Sequence, residues 1–392
     1  MGERTSFDVA VVGAGPAGLA LALGLARGGV STALVTGPER GVDHRTTALL
    51  DGSVRILAQF GVWEAVAAKA APLRDLRIVD ATRRLVRAPE VNFRSAEIDL
   101  PAFGYNVAND DLRLALRAAA EAEPALTLLR TSLADLAVGD AAAQLSLTDG
   151  GAVCARLVAA ADGRASRVRE ACGIAMRKRD YPQVAFTATV RHARPHEDTS
   201  TEFHTESGPF TLVPLPGNRS SIVCVVGDRE AVRLMGLPDA ALARELEARC
   251  FSLLGAFEME EGRGAFPLAA ETARRLVAPR VALTAEAAHI MPPIGAQGLN
   301  LGLRDAAALV EIAVEAVARG RDPGEEAPLA RFEAARRRDI DARMAAVDLL
   351  NRSLLSEFLP VQSMRGFGLY LLDRVGPLRR AVMRLGVGAR AA

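Results

Sequence analysis

Three short stretches of this sequence carry residue types and spacings that could do chemistry. The first is Gly13-Ala14-Gly15-Pro16-Ala17-Gly18, which follows an apolar run from Phe7 to Val12 and opens a helical pattern. There Gly13 permits a tight turn, Gly15 lets the backbone approach a pyrophosphate, and Gly18 lets helix and strand pack closely. The helix N-terminus then faces the phosphates and stabilises their charge. This pattern fits FAD and NAD alike. The acid expected about 20 residues further on is replaced by Thr36, whose neutral hydroxyl can still bond a ribose, with Glu39 nearby as a substitute. The second stretch is Asp162-Gly163-Arg164-Ala165-Ser166-Arg167, which taken alone reads as a turn at a strand end. The third runs from Ala285-Glu286 through His289 to Pro292-Pro293-Ile294-Gly295-Ala296-Gln297-Gly298-Leu299-Asn300. It is a Gly/Pro-rich passage from strand to helix that leaves free N–H donors at the helix start. His289 there reads as structural at least as readily as acid–base.

The elements that must position these residues alternate in type. A strand over Phe7–Val12, a helix over Pro16–Arg27 with proline in its first turn, and a strand over Ser31–Val35 make a βαβ unit. One helix is expected from about Ser53 to Lys69, strand-like runs such as Leu76–Val79 follow, and another helix covers Asp111 to Ala122. Leu157–Ala161 is a fully apolar strand, Arg280–Thr284 another, and Leu299–Ala318 a helix. Between them, Gln183 to Asp228 alternates with period two between turn signals at Gly208-Pro209 and Pro216-Gly217-Asn218, the pattern of an antiparallel sheet. The expected fold is therefore α/β: a Rossmann-like dinucleotide domain (1–75, 100–180 and 270–325), an inserted antiparallel sheet domain for substrate (76–99 and 181–269), and a C-terminal helical region (326–392). In that last region Ile340, Met344, Val347, Leu350 and Leu354 fall on one stripe.

Composition narrows the class. Half of the 392 residues are hydrophobic and 24% are charged, the balance of a folded chain with ample core. A net charge of +1, with no nucleic-acid motif, argues against nucleic acid as a partner. Cys154, Cys172, Cys224 and Cys250 show no CxxC spacing, so neither a disulfide framework nor a zinc site is expected, and a reducing cytoplasm fits. The apolar stretch 9–26 is interrupted by glycines at motif spacing and reads as strand plus helix rather than as a leader or span. His44, His192, His196, His204 and His289 are scattered, and no nucleophile triad or metal cluster stands out.

Taken together and in order, the three stretches resemble the flavin hydroxylases of ubiquinone biosynthesis, relatives of p-hydroxybenzoate hydroxylase, over nearly the full length. The resemblance implies FAD as cofactor, NAD(P)H or another donor as reductant, and hydroxylation of an aromatic ring through a flavin C4a-hydroperoxide, without a catalytic metal or a protein nucleophile. It places Asp162 and Gly163 in the motif that handles FAD and NAD(P)H, and Arg45 and Arg113 in contact with FAD. The Pro293, Gly295, Ala296, Gln297, Gly298, Leu299 and Asn300 turn falls beneath the isoalloxazine. Where the family has a Gly-Asp pair whose carboxylate bonds the ribityl chain, this chain has Ala285-Glu286, a carboxylate one methylene longer. Glu202-Phe203-His204 and Gly208 to Leu215 resemble the substrate-domain sheet, where an apolar pocket wall is expected. At the C-terminus Phe367, Leu371, Val375, Leu378, Val382 and Leu385 recur at helical spacing among Arg365, Arg374, Arg379, Arg380 and Arg384. That pattern fits a membrane-surface helix, suited to a polyprenylated phenol at the inner membrane face, and equally a helix docked on the main domain. A soluble hydroxylase of a small aromatic acid and a non-catalytic flavoprotein scaffold within a biosynthetic complex are the competing readings.

Overall fold

The computed structural model describes residues 5–38, 41–83, 87–293, 295–355, 368, 370–372 and 374–387; Glu39, Ile294, Arg365 and Phe367 lie outside them. Its first layer is a mixed sheet of eight described strands whose parallel core runs in the order Val281–Leu283, Ala152–Ala160, Thr5–Val12, Thr32–Val35, Leu126–Leu129. These strands read as unbroken apolar runs because both faces are covered: Val9, Ala10, Val11, Leu157, Val158 and Ala159 have no exposed surface. Helices Pro16–Arg27 and Gln297–Ala318 pack on one another. Their close approach depends on missing side chains, since a Cβ on Gly28 would sit 2.3 Å from Val314 Cγ2. The helix expected from Ser53 to Lys69 is instead two, Asp51–Gln59 and Trp63–Ala67. Gly61, at φ +67°, ends the first in the left-handed conformation that glycine adopts without cost.

The second layer is a nine-stranded sheet, antiparallel except where Thr199–Thr205 runs parallel to Asp75–Asp80. Its longest member, Met176–His192, pairs with both Gly264–Ala273 and Arg219–Val226. The short strand His289–Ile290 also joins this sheet, so the third sequence motif straddles the two layers. One sheet face buries Phe186, Phe203 and Phe210 beneath helices Asp228–Gly236 and Asp239–Arg249; the other turns toward the parallel sheet. A three-stranded sheet of Thr46–Leu50, Gly104–Ala108 and Ala71–Pro72 lies between the two. The last described elements are helix Glu326–Leu355 and helix Gly376–Val387, the latter burying Met383 and Val387 against Val91, Phe93, Ile98 and Phe103.

Candidate cofactor and substrate site

The three glycines of the first motif are held for different reasons. A Cβ on Gly13, which has φ +108°, would lie 2.3 Å from Ala161 O, and one on Gly18 would lie 2.0 Å from Gly13 O. Both are fixed by the chain's own backbone. A Cβ on Gly15 would meet nothing within 4 Å, so the backbone at the helix N-terminus borders open space in which a pyrophosphate can approach it. At the end of the next strand, the Thr36 hydroxyl is within donating distance of Gly37 O (3.2 Å) and Leu129 O (3.3 Å). What it can offer a ribose is its lone pairs.

From this cradle a cavity of about 1230 Å³ extends to the underside of the nine-stranded sheet. Among its lining residues are Gly13 to Gly18, Thr36, Arg45, Arg113, Asp162, Gly163, Glu286, Pro293, Gly295, Ala296, Gln297, Gly298 and Leu299. Asn300 is not among them. It is buried, donating its amide to Ala48 O and Ala296 O and accepting from Leu50 N at 2.8 Å, so it ties the helix start to strand Thr46–Leu50. His289 also stands off the cavity, with Nε2 2.6 Å from Asp305 Oδ2.

Charged side chains along the cavity are oriented before any ligand arrives. Arg45 grips Asp43 with Nε and Nη2 at 2.7 and 2.6 Å and lies 5.0 Å from the centre of the Phe266 ring. Burial alone would raise the Asp43 carboxyl; hydrogen bonds from Arg45 and Asn109 overcome it and hold the group at about 2. Arg113 is bonded to Asp110 at 3.0 Å. Asp162 accepts from Val168 N through Oδ2, while Oδ1 is buried with no partner, and burial pushes this carboxyl up. An orphaned acceptor beside the glycine turn fits a ligand that brings hydroxyl donors, as the ribityl chain of FAD does. Glu286 lines the same wall, after Ala285 at φ +50°, a left-handed position that glycine would adopt without the steric cost alanine bears.

Behind the third motif lies a group of residues that sequence reasoning missed. Asp305 accepts from His289, from Ala285 N at 2.9 Å and from Arg336 Nε at 2.7 Å. Arg336 continues to Asp339, Asp339 to Arg343, and Arg343 Nη1 reaches Gln297 Oε1 at 2.7 Å. The second side-chain hold on Gln297 is its own Nε2 to Gly295 O at 2.8 Å. This chain sets the geometry of the helix start from outside the cavity. Its one sequence signal was charge on a buried face: Arg336 lies four residues before Ile340, at the head of the apolar stripe.

A dinucleotide cradle on a parallel sheet opens into a chamber roofed by a second sheet, so one cavity can hold a dinucleotide and a second ligand side by side. The FAD binding domain family profile matches residues 6–346. The chain is 38% identical to the ubiquinone hydroxylase UbiL of Rhodospirillum rubrum, covering 97% of this chain and 89% of that one. It is 33% identical to the 3-demethoxyubiquinol 3-hydroxylase of Escherichia coli, covering 97% and 98%. The structure superposes on p-nitrophenol 4-monooxygenase PnpA of Pseudomonas putida with a TM-score of 0.81 at 18% identity, covering 99% and 100%, a likeness of fold. The chain belongs to the FAD binding domain family. It is an FAD-dependent aromatic hydroxylase.

Proposed function

We propose that this chain hydroxylates the ring of a polyprenylated phenol on the route to ubiquinone. The observation that carries the reading is the single continuous cavity. Its volume, about 1230 Å³, exceeds the roughly 300–1,000 Å³ of an ordinary small-molecule pocket, as a site for cofactor plus a bulky substrate requires. The curated relatives named above point to the same substrate class. Bound FAD, reduced by NAD(P)H or another donor, supplies an activated oxygen atom from O2. The chain's own residues do the rest. Gly13 to Gly18 hold the pyrophosphate, and Asp162 and Glu286 offer acceptors to the ribityl hydroxyls. The N–H groups that begin helix Gln297–Ala318 would be the donors offered to negative charge on a bound flavin. Ala185, Val213, Val223 and Leu268 on the sheet keep water from the reacting atoms.

A small aromatic acid would instead need a cation for its carboxylate. Beside the sheet, Arg77 lines the cavity but is already bidentate to Glu90, at 2.7 and 2.9 Å. No tyrosine lines the cavity among the described residues.

The C-terminal helix bears on how such a substrate arrives. Arg379 pairs with Glu97 at 2.8 Å and stacks over Phe93, which docks the helix on the sheet domain. Its outer side leaves Leu378, Val382 and Leu385 exposed at 43%, 41% and 75% beside Arg380. Leu76 and Ile78 both line the cavity and pack in the cluster this helix covers. These features support a face that rests on an anionic membrane next to the substrate chamber. No helix among the described residues is long and apolar enough to cross a membrane.

Two measurements test the reading. Holoenzyme with NAD(P)H should hydroxylate a short-chain prenyl phenol with little hydrogen peroxide released, whereas coupled turnover of benzoate-like acids alone would overturn it. The Leu378→Ser/Val382→Ser/Leu385→Ser protein should lose flotation with anionic liposomes while retaining FAD; unchanged flotation would remove the membrane part.

A further inference from the structure

The sheet face that roofs the cavity carries one carboxylate among its largely apolar wall residues. Strand Thr199–Thr205 places Ser200, Glu202 and His204 on one side by alternation, while Phe203 between them turns into the opposite core, 6.1 Å from Phe210. Glu202 lines the cavity with its side chain 24% exposed, and His204 sits behind it at 4%. His204 Nε2 lies 2.9 Å from Glu202 Oε1, and Thr211 Oγ1 lies 3.5 Å from Oε2. His204 Nδ1 is buried with no partner. A bare ring nitrogen tolerates that isolation better than an N–H does, so the ring proton belongs on Nε2, donating to Glu202.

A carboxylate offers about four acceptor positions, and two donors hold this one from the sheet side. The arginine of the adjoining strand, Arg77, pairs in register with Thr201 rather than Glu202 and is engaged with Glu90. Glu202 is therefore braced, carries acceptor capacity toward the chamber, and stands on a wall that otherwise suits an aromatic ring.

We propose that the Glu202 carboxylate accepts the hydrogen bond of the substrate's phenolic hydroxyl, with His204 as the positioning residue that holds it. The proposal rests on the reading of the substrate as a phenol. The proton stays shared between the two oxygens, and no bond is made or broken. Withdrawing it toward Glu202 raises electron density at the ring carbons ortho and para to the hydroxyl, which favours oxygen transfer there. The contact also fixes which edge of the ring faces the isoalloxazine, making Glu202 a determinant of the position hydroxylated.

The test uses FAD-loaded protein and two probes that differ by one donor, 2-prenylphenol and its methyl ether. Dissociation constants are read from perturbation of the flavin absorbance, which does not depend on turnover. A hydrogen bond to a charged acceptor corresponds to roughly 10- to 150-fold, so wild-type protein should prefer the phenol by at least about tenfold. Glu202→Gln, close in shape, and Glu202→Ala should both bring the two probes to within about twofold. His204→Phe should lose much of the preference and His204→Gln, which restores a donor, should recover it, a rescue that a purely structural role would not give. Full phenol preference in Glu202→Ala, or no preference in wild type, overturns the assignment while leaving a phenol substrate intact. Failure of wild-type protein to bind either probe overturns the phenol reading and the assignment together.

Discussion

Replacing Asp305 by Asn should destabilise the protein by about 3–5 kcal/mol, the range seen when one partner of a buried ion pair is removed. The magnitude follows from what surrounds the carboxylate. Asp305, His289 and Arg336 are 1%, 2% and 6% exposed, so none of them can turn to water. Oδ2 accepts from His289 Nε2 at 2.6 Å and Ala285 N at 2.9 Å, and Oδ1 from Arg336 Nε at 2.7 Å. All three neighbours donate. An asparagine must point its NH2 at one of them and leaves the guanidinium without a full counter-charge. The assay is urea denaturation of the FAD-free protein followed by circular dichroism, with Asp305→Asn, Arg336→Met and the double variant compared. The double variant should lose less than the sum of the singles, because once the charge is gone its partner is a liability. FAD affinity should fall in Asp305→Asn as well, since Ala285 precedes Glu286 and the relay from Arg336 ends on Gln297. A loss below about 1 kcal/mol, or strict additivity, would show that the network is not an energetic unit.

The glycines of the cradle should separate folding from binding. Gly15→Ala should leave the FAD-free protein within about 0.5 kcal/mol of wild type yet weaken FAD in a titration, while Gly18→Ala, whose Cβ falls 2.0 Å from Gly13 O, should cost the fold itself in the same denaturation assay. Ala285→Gly releases a left-handed non-glycine residue worth about 1–2 kcal/mol against roughly 0.5–1 kcal/mol of added chain entropy. A small rise in melting temperature with FAD affinity unchanged or tighter is the expected result. Asp43 has a folded pKa depressed from 3.8 to about 2, so its stabilising contribution is complete above pH 4 and is lost as pH falls toward 2. Acid unfolding of Asp43→Asn, followed by fluorescence, should show a shallower loss of stability across that window.

How much of this was legible beforehand depends on how local the determinants are. The Pro16–Arg27 helix matches expectation end for end, because proline at its start and glycine at its close are local signals. The cradle was readable for the same reason: close packing of Gly13 and Gly18 is a property of one turn. Asp305 and Arg336 meet across 31 residues of sequence, and nothing in either helix pattern announces the partner. Asn300 sits inside a recognisable motif, yet its role as a brace to Ala48 and Leu50 appears only once strand Thr46–Leu50 is placed alongside. The pocket wall was expected to be apolar, and Glu202 departs from that. A lone acid in a period-two strand does not reveal which face it occupies until register fixes Phe203 on the other.

The long strand Met176–His192 behaves as a spine with one joint. Below it is knitted to Gly264–Ala273 from Met176 to Asp180; above, to both Gly264–Ala273 and Arg219–Val226 from Val184 onward, with the register slipping between. A roof carried on such a member does not swing clear like a hinged cover, because doing so would tear ladders of backbone hydrogen bonds on both flanks. The slip falls between Asp180 and Val184, where Tyr181 bonds Asp348 of the C-terminal helical region and Gln183 bonds Ser207 O and Asn351. A roof tied in this way stays in place, so a ligand reaches the chamber through its mouth rather than beneath a raised sheet.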